Sequence, residues 1–292
     1  MATVSLTRLA REALAFGLAS VGIDAMARRR ELRRMRARRT TFVRVAMFHA
    51  TDANLADALR RQLLWLKQHF DLIDFTSFKR LHHEKPASMR PAVVLTFDDG
   101  YLSNYETAAP LLEELGTRGV FSIVPDFARV HADPTAAQAF FRNSIRGPER
   151  WNWKPKSPQQ VRDLADRGHT IANHTMSHAV LSQLPPDQYS REIKQSADEL
   201  EQWTGRPVEP FAWPFGHAAI TPAAHRMIRA RHAFCFTPCL GSNDVAVDSP
   251  HLIWRTNLEP DDPPARYRYF YSGLEDRLWA SRRRKAEMLA RG

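Results

Sequence analysis

The sequence predicts an α/β fold, either a (β/α) barrel or a doubly wound sheet. Three observations carry that reading. Short apolar runs alternate with helical periodicity over roughly 210 residues. The run Ala92-Val93-Val94-Leu95-Thr96-Phe97 is almost unbroken, as strands buried on both faces are. Three runs also end in residues suited to chemistry: Asp98-Asp99-Gly100, His174-Thr175-Met176-Ser177-His178 and Trp213-Pro214-Phe215-Gly216-His217. Parallel α/β sheets bring such carboxyl ends to one rim.

The elements follow in order. Leu6 to Ala27 carries apolar residues at helical spacing, and the Arg-dense run 28–39 follows it. Such a pair of segments suits an anionic membrane face; the alternatives are a helix packed on the body or a frayed tail. A signal peptide would carry its charge ahead of the apolar region, not after it. Thr41 to Phe48 reads as a strand closing at His49, Leu55 to Phe70 as a helix, and Asp71 to Phe75 as a short strand. After the apolar run at 92–97 come a helix (Thr107 to Leu115) and a strand (Val120 to Val124). Residues 126–156 look like a long excursion bearing Trp151, Trp153 and several prolines. Ser157 begins a helix with Pro158 at its first position. Thr170 to Ala172 is a strand, Tyr189 to Thr204 a helix, Phe211 to Trp213 a strand and Pro222 to Arg231 a helix.

Composition bounds the rest. At 292 residues, 43% hydrophobic and 25% charged, the chain is neither collagen-like nor wholly disordered. Asp24 interrupts the best apolar run, so none reaches the roughly 18 residues of a spanning helix. Cys235 and Cys239, separated by Phe-Thr-Pro, form neither a disulfide framework nor a C-x-x-C motif, and the cytoplasm is the default compartment. The net charge of +10 sits in the ends. Residues 1–39 hold ten Arg against Glu12, Asp24 and Glu31, and residues 280–292 hold five basic residues against Glu287. The body is close to neutral, so nucleic acid is not an expected partner, whereas peripheral contact with the inner face of a membrane through the N-terminus is. Three regions result: a basic amphipathic segment (1–40), a catalytic domain (41–270) and a basic tail (271–292).

His174 and His178 are four apart, so one helical turn would point both imidazoles the same way. Two imidazoles with one carboxylate suit a divalent cation and leave positions for water. At the turn into Gly100, one of Asp98 and Asp99 can bind the ion while the other faces the attacking water. Thr175 stands where an H-E-x-x-H metalloprotease needs Glu, and P-loop, dinucleotide and G-x-S-x-G motifs are absent. A non-haem iron oxygenase would use the same ligand types, but the order here, Asp and then paired His, disfavours it.

These residues resemble the polysaccharide deacetylases, carbohydrate esterase family four, which include nodulation-type chitooligosaccharide deacetylases. Thr96-Phe97-Asp98-Asp99-Gly100, His174-Thr175-Met176-Ser177-His178 and Phe211-Ala212-Trp213-Pro214-Phe215-Gly216 look like its first three motifs; Met47-Phe48-His49 and Arg167-Gly168-His169-Thr170-Ile171 agree. The likeness spans about residues 42–258. It implies a distorted, incomplete (β/α) barrel and a divalent metal, usually zinc, with Co, Mn, Ni or Fe as alternatives. It implies Asp99, His174 and His178 as metal ligands, Asp98 as general base and the backbone N–H near Phe215 at the oxyanion. Trp213, Pro214 and Phe215 would shape the pocket against a sugar face, with core packing as the other role for Trp213. The implied reaction removes N-acetyl groups from an amino sugar in a polysaccharide, oligosaccharide or lipid-linked glycan. Alternatives are an impaired glycan-binding member and an amino-sugar deformylase. Two departures stand out. The third motif lacks the family's preceding Arg, for which Arg255 is the candidate substitute, a plain surface salt bridge being its other role, and the late Leu–His motif has no match, since no histidine follows Arg255. His49, His217 and His251 are the candidates for the general acid.

Overall fold

All seven positions of the strand Phe42–Phe48 (β1) are buried, and so are all six of Ala92–Phe97 (β3). Strands covered on both faces need helices outside them and a packed centre within. Alternate residues divide accordingly. Val43, Val45, Val94, Val120, Ala172, Ala212, Phe236 and Ile253 form one cluster around Phe75 and Phe78, which is the barrel interior. Ala46, Phe48, Val93, Leu95, Phe97 and Phe121 pack instead against helix residues such as Leu59, Leu63, Leu112 and Leu164.

The structure, a computed structural model, describes Gly17 and residues 22–149, 152–216 and 220–291. Most of the expected amphipathic stretch from Leu6, together with Trp151 and His217, lies outside the described residues. Helix α1 (Ile23–Arg38) precedes β1. Then come α2 (Ala56–His69), β2 (Asp71–Leu72), α3 (Phe75–Glu84), β3, α4 (Ala109–Glu114) and β4 (Val120–Ile123). They are followed by α5 (Pro125–Arg129), α6 (Pro134–Phe140), α7 (Pro158–Asp166), β5 (Thr170–Asn173), α8 (Ser196–Thr204) and β6 (Pro210–Ala212). The chain ends with α9 (Pro222–Arg231), β7 (Phe234–Thr237), β8 (Asn243–Asp244), β9 (Ile253–Trp254), β10 (Thr256–Asn257), α10 (Pro264–Phe270) and α11 (Ala280–Arg291).

Two expectations are corrected here. The expected strand at 71–75 stops at Leu72, because the Asp74 carboxylate accepts the Ser77 N–H at 2.7 Å and starts α3 at Phe75. The excursion at 126–156 holds helices of its own, α6 being capped by Asp133. The helix at Ser157 begins with a full capping box, Ser157 and Gln160 each bonding the other's backbone N–H. Cys235 and Cys239 are free, buried thiols.

The sheet runs β10-β1-β3-β4-β5-β6-β7-β9, every neighbouring pair parallel. Its two ends, β9 and β10, are separated in sequence by Arg255 alone. The sheet therefore all but closes on itself, and the expected distorted (β/α) barrel is what the chain forms. At the base of the barrel Arg44 is buried and donates to Glu31 of α1 at 2.7 Å and to Asp276 at 2.9 Å. This triad pins both basic ends of the chain to β1. Removing Arg44 strands two carboxylates in a half-buried seam. Arg44→Ala is expected to cost about 3–5 kcal/mol of stability, read from urea denaturation; a loss under about 1 kcal/mol would show the triad to be ornamental.

Candidate functional site

The ends of β1, β3, β5 and β6 and the β9–β10 junction meet around a cavity of about 310 Å³. Its lining includes His49, Asp98, Asp99, His174, His178, Phe215 and Arg255, which are scattered over more than 200 positions of sequence. Strand alternation aims Asp98 inward, on the same face as Val94 and Thr96. Asp99 adopts φ 70° and Gly100 φ 94°, so the chain bends sharply and the two carboxylates part company.

Asp99 faces the histidines. Its Oδ1 lies 3.3 Å from Nε2 of His174 and 3.2 Å from Nε2 of His178. The far nitrogen of each ring is committed: Nδ1–H of His174 donates to the Ala212 carbonyl at 2.8 Å, and that of His178 to the Ser144 carbonyl at 3.0 Å. Carbonyls only accept, so both Nδ1 atoms carry protons, and in the neutral rings both Nε2 lone pairs face the Asp99 oxygen. Three buried donor atoms lie within 4.8 Å of one another. Two lone pairs and an anionic oxygen converging on one point are what a divalent cation satisfies, and the backbone carbonyls provide the outer hold that ligating imidazoles use.

The histidines do not sit on a helical turn as expected. Residues 174–178 form an irregular loop in which Thr175 (φ 63°) and His178 (φ 59°) are left-handed. Buried Glu192 clamps this loop, accepting from the Ser177 N–H at 3.0 Å and the Ser177 hydroxyl at 2.9 Å. The imidazoles converge because the loop is bent, not because it is helical.

Asp98, whose Oδ2 lies 3.9 Å from Nε2 of His174, is held more closely by Arg255, whose Nη1 is 2.9 and 2.8 Å from its two oxygens. Burial pushes the Asp98 carboxyl up, but Arg255, His174 and His49 outweigh burial and leave it below its ordinary range. Asp99 meets the same opposition from burial and is driven well below that range, chiefly by His178. Phe215 lies 4.5 Å, centroid to centroid, from the His178 ring, with the Arg146 guanidinium 5.8 Å above it. Trp213 is 1% exposed and packs edge-on against Phe211, so it underlies the rim. Buried Pro214 is not among the lining residues. Of the histidines considered for the acid, His49 lines the cavity and His251 does not; His217 lies outside the described residues.

Lys156 escaped the sequence reading. It is fully buried, donates its ammonium to the Tyr101 carbonyl at 2.7 Å, and its backbone N–H bonds the Gly100 carbonyl at 2.9 Å. Burial brings it down to about 7 against the pull of Asp99. It braces the turn behind the paired carboxylates, and nothing in Lys154-Pro155-Lys156 distinguishes it from a loop lysine.

A family model for polysaccharide deacetylases matches residues 85–229, about half of the chain. The matched span holds both aspartates, both histidines and Phe215. The chain belongs to the polysaccharide deacetylase family. The chain is 27% identical over 191 residues to the poly-beta-1,6-N-acetyl-D-glucosamine N-deacetylase of Escherichia coli K12, covering 55% of its own length and 27% of that protein. The chain thus spans little more than a quarter of that curated relative. Two solved structures share the fold. A polysaccharide deacetylase from Bacillus cereus, BC0361, aligns at TM-score 0.61 and 19% identity over 80% of this chain and 69% of its own. IcaB from Ammonifex degensii aligns at 0.60 and 19% over 79% of this chain and 97% of its own.

One pH dependence follows. Burial lowers the His178 imidazole, but Asp99 outweighs burial and raises it above 6.5, so a proton competes for its Nε2. Ligands must shed protons to bind a cation. Zinc retained after dialysis is expected to be stoichiometric near pH 8 and lost as pH falls through that raised value, about pH 5 being well below it. Equal zinc content at both ends of that range would remove His178 from the ligand set.

Proposed function

We propose that this chain is a metal-dependent N-deacetylase of an N-acetylated amino sugar within a polysaccharide, oligosaccharide or lipid-linked glycan. The observation that carries this reading is the division of labour between adjacent carboxylates. Asp99 faces two imidazole lone pairs, while Asp98 is kept out of that group and anionic by Arg255. A structural metal site has no use for the second carboxylate. Hydrolysis does.

In this reading Asp99, His174 and His178 hold a divalent cation, zinc being the first choice for two imidazoles and a carboxylate. When bound, the cation supplies Lewis-acid polarisation of the amide carbonyl and makes water a better nucleophile at neutral pH. Asp98 takes the proton of the attacking water, and Arg255 fixes its orientation through paired contacts. The backbone N–H of Phe215 meets the developing oxyanion, and its ring covers one face of the sugar. His49, half-buried in the cavity wall, would protonate the leaving amine in this reading. The products are acetate and a free amine. The name of the Escherichia coli relative makes β-1,6-linked N-acetylglucosamine oligomers the first substrate to test.

Acetate release from such oligomers by zinc-loaded protein tests the proposal. Asp98→Asn should keep zinc and lose about 10²–10⁴ in rate; undiminished release would sink the base assignment. No release by zinc-loaded wild type from any N-acetylglucosamine glycan would overturn the substrate reading. Arg255→Lys keeps the charge but loses the planar fork, and should lower kcat about tenfold or more, with zinc content unchanged; a rate equal to wild type would show that Asp98 needs charge and not orientation.

A further inference from the structure

A second cavity, larger than the site and at the opposite end of β1, lies between α1 and the C-terminal segment that leads into α11. It measures about 780 Å³, and its lining combines Arg30, Arg34, Arg38 and Arg283 with apolar Ile23, Met26, Phe42 and Leu274. Two carboxylates also face it, Glu31 and Asp276, but both are taken by the buried Arg44 beneath. Arg38 reaches Asp244 at 3.2 Å, and Arg283 donates to the Leu240 carbonyl at 2.7 Å. Arg30 and Arg34 are exposed and have no ion-pair partner among the described residues. The groove therefore holds a standing positive charge that the fold does not neutralise.

Its borders are apolar as well. Met26, which lines it, and Leu278, which falls between the lining residues Asp276 and Ala280, are 60% and 63% exposed, two of the six large hydrophobic side chains that stand out among the described residues. Trp279 lies beside Leu278 with the Arg282 guanidinium 4.2 Å over its ring. Arginines flanked by exposed methionine and leucine and a half-buried tryptophan match an interface that is anionic at one depth and hydrocarbon at the next. Nucleic acid would match the charge but leave the apolar border without a partner. No described helix is long and apolar enough to cross a membrane, so contact here is along a surface.

We propose that the groove between α1 and the segment 272–283 docks this protein on the surface of a bilayer containing anionic phospholipid, with Arg30, Arg34, Arg38 and Arg283 at the headgroups and Met26 and Leu278 entering the acyl boundary. Because β1 runs from Phe42 in this groove to His49 at the catalytic cavity, docking leaves the rim pointing away from the bilayer.

The test is sedimentation of the whole chain with phosphatidylcholine vesicles, with and without phosphatidylglycerol. Binding only to the anionic vesicles, weakening with salt, is expected. Each neutralised arginine should weaken partitioning about fivefold, so Arg30→Gln with Arg34→Gln should lower it about 25-fold at an unchanged melting temperature. Arg29→Gln with Arg33→Gln removes the same charge from the same helix outside the groove and should cost much less. Equal losses in the two double variants would overturn the groove as the docking site. Binding to duplex DNA without binding to vesicles, or to neither, would overturn the proposal altogether.

Discussion

A guanidinium with no solvent exposure persists only if every side of it is met, and Arg255 is such a group. It holds both oxygens of Asp98 and lies 3.3 Å from the Thr237 carbonyl and 3.5 Å from that of Trp213. It also stands at the one position where the barrel is open, between the strand that pairs with β7 and the strand that pairs with β1. The same residue therefore bridges the seam of the sheet and sets the carboxylate at the end of β3. Buried ion pairs rarely add net stability, since desolvation offsets most of the attraction. The gain here is geometric: the position of Asp98 is tied to the closure of the barrel.

The rim is built at a conformational cost. Seven described non-glycine residues have positive φ, and five of them, Asp99, Arg146, Thr175, His178 and Phe215, form or flank the cavity. Such residues cost of order 1–3 kcal/mol each and persist where the surroundings over-determine them. Here the surroundings can be named. Lys156 holds the carbonyls behind Asp99, Glu192 holds the loop behind His178, and the Thr175 hydroxyl accepts the Ala179 N–H at 3.1 Å. The other two of the seven, Arg39 and Lys85, close the C-termini of α1 and α3; at the base the hold on α1 and on the chain leading to α11 is ionic, through Arg44.

Much of this was legible in sequence, for reasons that also mark the limits. Strands β1 and β3 are long and apolar enough to declare themselves, and Ser157-Pro158 with Gln160 announces its helix by local capping chemistry alone. Residues Asp98, Asp99, His174 and His178 could be grouped because strand ends converge in any parallel α/β sheet. The two-residue strands β8, β9 and β10 are too short to show alternation, so the seam was invisible, although Arg255 could be suspected as a charge. The helical turn expected for the histidines failed because Glu192, fifteen residues after Ser177, decides the path of that loop, and no local pattern encodes such a clamp. Lys156 was missed for the same reason: its burial is a property of the packed turn, not of its neighbours in sequence.

The carbonyl that fixes His178 belongs to Ser144, next to Ile145, Arg146, Gly147 and Pro148, which form the outer wall of the cavity. His178 is thus held by the outer wall of the cavity. Any movement of that wall withdraws the acceptor that selects the Nδ1–H tautomer, and with it the lone pair facing Asp99. In the proposed reading, occupancy of the inner position and grip on a glycan would for that reason be coupled, and whatever either did to the other would be returned in equal measure.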